Sequence, residues 1–128
     1  MMVTVFRVET AEGFGPYSAR SNPREFTPEA EGDLTNMSFR HTSDQHPTPC
    51  QSGIDFDYGH DRCGFPSLRA LIDWFDPEER QMLHKHGFSI SVYVKDIADV
   101  KFSEKQCALQ ISEPPYLRLS LIPEKDAP

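Results

Sequence analysis

The chain has 128 residues, enough for one domain with a modest core. Twenty acidic side chains against thirteen basic ones give a formal charge of −7 with neutral histidines. That balance disfavours direct binding to nucleic acid or to an anionic membrane surface, and it suits a partner with a basic surface.

No apolar run approaches the roughly 18–20 residues of a membrane span. Met1–Arg7 lacks the basic-then-apolar order of a secretory signal, so the expected compartment is a cytoplasm. Val3-Thr-Val-Phe-Arg-Val-Glu9 is rich in β-branched residues and predicts a strand, with Arg7 on the side of Val3 and Val5. Ala11-Glu-Gly-Phe-Gly-Pro-Tyr17 then enforces turns without the Gly-Lys-Ser/Thr of a phosphate loop. Residues 18–62 are polar and broken by Pro23, Pro28, Pro47 and Pro49, and they read as a long irregular loop that wraps the core. Within it Asp33–Phe39 predicts a short helical turn.

The next stretch carries the strongest local signals. Ser67 is placed to cap a helix whose apolar face is Leu68, Leu71, Ile72 and Phe75. Asp76-Pro77-Glu78-Glu79 starts another: an acidic cap, proline in the first turn, and glutamate three residues after the cap. Gly87 supplies the stop. Phe88, Ile90, Val92 and Val94 then alternate as one face of a strand. Gln106–Ile111 makes another, with Cys107, Leu109 and Ile111 inward, and Tyr116–Leu121 a last one. The reading is one α+β domain over residues 1–122, mainly antiparallel sheet, with a loose tail at 123–128.

Three chemistries compete for the polar residues. His41, His46, Cys50, His60 and Cys63 suit zinc by type, but only His60-x-x-Cys63 resembles a half-site, so no metal is assigned. Three cysteines, an odd number, fit reduced thiols, and none sits in a nucleophile signature. His84 and His86 complement a helix C-terminus and need no other role. The most informative set is Arg7 with Glu104-Lys-Gln106. Adjacent strands would bring a guanidinium, a carboxylate and an amide into one cleft, where arginine suits phosphate.

This order of residues resembles a compact ADP-ribosyltransferase-like domain. The likeness lies in Val5-Phe6-Arg7-Val8, in Cys63-Gly-Phe65-Pro-Ser67 leading into a helix, and in Ile90–Asp96. It ends at the strand whose start would carry the family's glutamate. It covers Val3–Val8 and Cys63–Ile111. The chain is also similar to small proteins of bacteriophages and mobile elements, some of which counter host defence, the anti-CRISPR type among them. The resemblance implies NAD as cofactor, with Arg7 on its phosphates, Phe65 and Tyr17 against it, and Ser67 bracing the site. Where the family places glutamate, this chain has Gln106, after Glu104. Loss of such a charge costs about 3 kcal/mol of barrier. The sequence therefore favours a binder on that scaffold that inhibits a basic host protein through Glu29, Glu31 and Asp33. An active NAD-dependent transferase is the alternative.

Overall fold

The computed structural model describes residues 1–42, 46–49 and 51–122. It is an α+β domain, as the sequence predicts. In chain order the elements are β1 (Met2–Glu9), α1 (Pro28–Arg40), β2 (Arg62–Gly64), α2 (Leu68–Trp74), α3 (Pro77–Lys85), β3 (Ser89–Asp96), β4 (Val100–Phe102), β5 (Cys107–Leu109) and β6 (Leu117–Leu119). The strands make two antiparallel sheets, ordered β1-β3-β6 and β2-β5-β4.

Phe6 and Phe65 join the sheets through a reciprocal pair of backbone hydrogen bonds, 3.0 and 2.6 Å long. The joint is tight. A Cβ on Gly64 would lie 2.6 Å from Val5 Cγ1 and 3.2 Å from the Phe6 carbonyl oxygen, so only glycine lets β1 and β2 approach this closely.

On one side of this layer Val8, Phe65, Phe88 and Ile90 pack against Leu71, Trp74 and Phe75 near α2, Leu83 of α3, and Leu34 and Met37 of α1. On the other, Val5 and Tyr93 meet Val100, Cys107 and Leu109 in a smaller core. That second core explains a departure from the alternating reading of β3. Ile90, Ser91, Val92 and Tyr93 are all buried, because β4 and β5 cover the face expected to be wet.

The two-helix segment forms as read. Ser67 Oγ accepts the Ala70 N–H at 3.0 Å. Asp76 and Glu79 make a complete capping box, with bonds of 2.8 and 2.9 Å. Gly87 stops the chain at φ +87°.

The expectation for residues 18–62 is corrected. They contain α1, a helix of 13 residues that begins at Thr27 rather than Asp33, and the Thr27 hydroxyl accepts the Ala30 N–H. Pro28 is the first-turn proline of that helix, not a breaker. Leu34 and Met37 are fully buried, so this half supplies core as well as covering it. The expected tail at 123–128 lies outside the described residues.

Candidate functional site

Arg7 is buried on β1, on the same side as Val5 and Glu9, and its guanidinium bonds groups within the chain. Its Nε donates to Glu9 Oε1 at 2.8 Å, one Nη to the Cys63 carbonyl at 2.8 Å and the other to the Gly13 carbonyl at 3.4 Å. The second Glu9 oxygen accepts the Tyr93 hydroxyl at 2.6 Å. Burial and the Glu9 carboxylate push the Tyr93 phenol well above its ordinary range. Arg7 thus ties β1 to the 13–15 turn and to β2.

Gln106 is buried elsewhere. Its amide donates to the Pro47 carbonyl at 2.7 Å and to Ser52 Oγ at 2.8 Å. The adjacency expected between β1 and the strand starting near residue 105 does not occur, because β2 runs between them. Glu104 is exposed at an open hollow of about 570 Å³ lined by Pro47, Ser52 and Lys105 among others. Ser67 is occupied as the α2 cap. The Cys63 and Cys107 thiols are both held protonated by burial, Cys107 pushed up to about 12. Cys50 lies outside the described residues.

Tyr17 and Phe65 do come together, in an aromatic cluster with Trp74 and Phe75. The Phe65 ring lies 5.5 Å from Trp74 and 5.9 Å from Phe75, and Tyr17 stacks on Phe75 at 6.4 Å. Running through this cluster is a chain of polar groups that the sequence did not disclose. Trp74 Nε1 donates to the Tyr17 hydroxyl at 2.8 Å. Indole nitrogen is only a donor, so the Tyr17 proton goes to His41 Nδ1. The other imidazole nitrogen, Nε2, then carries the proton that reaches Glu79 Oε2 at 2.7 Å. His46 stacks on His41 at 3.9 Å and bonds the Trp74 carbonyl at 2.7 Å. Arg40 reaches the same Glu79 oxygen at 3.3 Å.

Every member of this relay is defined by contacts far apart in sequence. Of its members, His41 and His46 were visible in the sequence as metal candidates and Tyr17 as a residue against NAD, none of them as part of a relay. Burial is the main reason the His41 pKa falls, and His46 adds to it while Glu79 opposes it. Burial likewise raises the Tyr17 phenol. The relay therefore rests neutral at Tyr17 and His41. The cavity beside Tyr17, walled by Pro16, Leu34 and Phe39, measures about 50 Å³, room for water and not for a dinucleotide.

The acidic surface has two parts. On α1, Glu29 pairs with Lys85 at 2.6 Å and Asp33 with His86 at 2.8 Å, while Glu31, two residues from each, is half-buried on a different face of the helix. In the loop 55–61, Tyr58 follows Asp57 and stands 72% exposed, its ring 4.9 Å from that of Phe56. Lys101 fastens that loop, bonding the Asp55 carbonyl at 2.6 Å and Asp61 at 2.8 Å. Hydrogen bonds from His60 and the Gly59 N–H hold the Asp57 carboxyl below the usual carboxylate range, so it stays charged.

A family model described as Bacteriophage T4 Y00F protein matches residues 1–118. No curated protein and no solved structure matches the chain. Among the described residues, no helix is long and apolar enough to cross a membrane.

The relay makes stability depend on pH. A histidine whose folded pKa lies below its unfolded value of about 6.5 favours the folded state fully above that value. The contribution is lost as pH falls through 6.5 toward the folded pKa. Urea midpoints should therefore drop between about pH 7 and pH 5, and His41→Gln should flatten that drop. A slope unchanged by the substitution would remove His41 as its source.

Proposed function

We propose, from the premise that the chain belongs to the bacteriophage T4 Y00F protein family, that it is a phage protein that binds a basic surface on a host protein and blocks it. The observation that carries this reading is Tyr58, an aromatic side chain standing in solvent directly after Asp57, whose carboxylate stays ionised. A lysine or arginine laid on that ring would gain a cation–π contact with the Asp57 carboxylate close by. Tyrosine is also among the residues that dominate interface energetics. Glu29, Glu31 and Asp33 on α1 add a second acidic surface to the same electrostatic attraction. A basic patch that normally holds nucleic acid, such as that of a defence complex in the host cytoplasm, has the matching chemistry.

The interior supports binding over catalysis. Arg7 and Gln106 are both committed to internal partners, the cavity at Tyr17 is too small for a cofactor, and the roomier hollow of about 570 Å³ has Glu104 alone of the expected site residues in its lining. For the binding reading, host proteins retained by the immobilised chain should be identified, and the complex reconstituted from purified components. Its affinity should fall steeply from about 0.05 to 0.5 M salt. Tyr58→Ala and Asp57→Lys should each weaken it by tenfold or more, on the order of 1.4 kcal/mol. A complex indifferent to salt and to both substitutions would overturn the reading.

One arrangement favours a second reading, an ADP-ribosyltransferase-like enzyme using NAD. β1, β2 and β5 are successive neighbours, so Arg7, Phe65 with Ser67, and Gln106 with Glu104 arise on or beside three adjacent strands. Under that reading, millimolar NAD should raise the melting temperature by mass action, and Arg7→Lys should abolish the shift. No shift at saturating NAD would dispose of it.

A further inference from the structure

Three potential metal ligands converge where α1 begins and α3 ends. Glu29 and Asp33 lie one helical turn apart on α1, and His86 follows the last residue of α3. One ligand atom from each lies within 4.8 Å of the other two.

The imidazole separates this group from a chance pairing of surface carboxylates. Its side chain is only 7% exposed, and its Nε2 already faces Asp33 at 2.8 Å. Its backbone N–H is held by the Met82 and Leu83 carbonyls, which fixes the main chain of the residue at the end of α3. The place is also already taken by a cation, since the Lys85 ammonium sits 2.6 Å from Glu29. That lysine is exposed, and an exposed ion pair of this kind is readily displaced.

We propose that Glu29, Asp33 and His86 bind a divalent transition-metal ion of the zinc class, clipping the first turn of α1 to the end of α3. One imidazole and two carboxylates match zinc's choice of ligands and leave a fourth position for water. Magnesium and calcium, which prefer a shell of oxygens, fit less well. On binding, the ion would replace the Lys85 ammonium at Glu29 and draw the three ligand atoms together by small side-chain rotations. The site shares Glu29 and Asp33 with the second acidic surface of the partner reading, but Tyr58, which carries that reading, takes no part in it.

The test is calorimetric titration of the whole protein with zinc chloride and, separately, magnesium chloride. One zinc ion per chain should bind, and magnesium should not. His86→Gln should weaken zinc binding by more than about tenfold. Glu29→Gln, an exposed change that spares the fold, should weaken it as well. Lys85→Met removes the competing cation and should tighten binding about two- to fivefold. Adventitious surface binding would not show that gain. Zinc affinity unchanged in both ligand variants, or no tightening in Lys85→Met, would overturn the proposal.

Discussion

A single buried carboxylate holds the helical half of the molecule together. Glu79 is 4% exposed, and each of its oxygens does a different job. One accepts the Asp76 N–H and starts α3; the other receives His41 and Arg40 from the end of α1. Through His41 the same group reaches Tyr17, and through Tyr17 it reaches Trp74 at the end of α2. A charge removed from water is tolerable only when its hydrogen bonds are met, and here they are met by Asp76 at the start of α3 and by His41 and Arg40 at the end of α1. Folding either helix correctly depends on the other being in place.

The sheet half has its own buried pair, Arg7 with Glu9, and it obeys the same rule. The guanidinium is satisfied by a carboxylate and two carbonyls, one from the 13–15 turn and one from β2. That turn runs on into Tyr17, so the two buried networks share a strap. Arg7, Tyr17 and Gln106, whose types suggested chemistry, are each bonded to groups within the chain. What remains free to meet another molecule lies outside, on an acidic surface carrying an exposed tyrosine.

Legibility in the sequence followed the range of the interactions. α2 and α3 could be read because Ser67 and Asp76 cap them locally and Gly87 ends the second. β3 could be read from alternation, although not its burial on both faces, since the covering strands come later in the chain. α1 was hidden by its own start signal. Pro28 looks like a breaker unless Thr27 is taken as the cap, and its apolar positions Ala30, Leu34 and Met37 are sparse. β2 and β4 are three residues each and exist only because β5 pairs with both. The Arg7–Glu9 pair could have been anticipated, because residues two apart on a strand share a face. The His41–Glu79 contact, 38 residues apart, left no local trace. Glu79 itself was visible only as part of a cap, and nothing in a capping pattern says whether its carboxylate faces water.

The central claim is that Glu79 is a keystone rather than a surface acid that happens to cap a helix. Equilibrium urea unfolding of Glu79→Ala, followed with amide hydrogen exchange, tests it most directly. Removing the carboxylate should cost about 3 kcal/mol, more than the roughly 1 kcal/mol of a lost cap, because His41 and the Asp76 amide are left without their acceptor. Protection should fall together in α1 and α3. A loss within about 0.5 kcal/mol, or weakened protection confined to the first turn of α3, would contradict it.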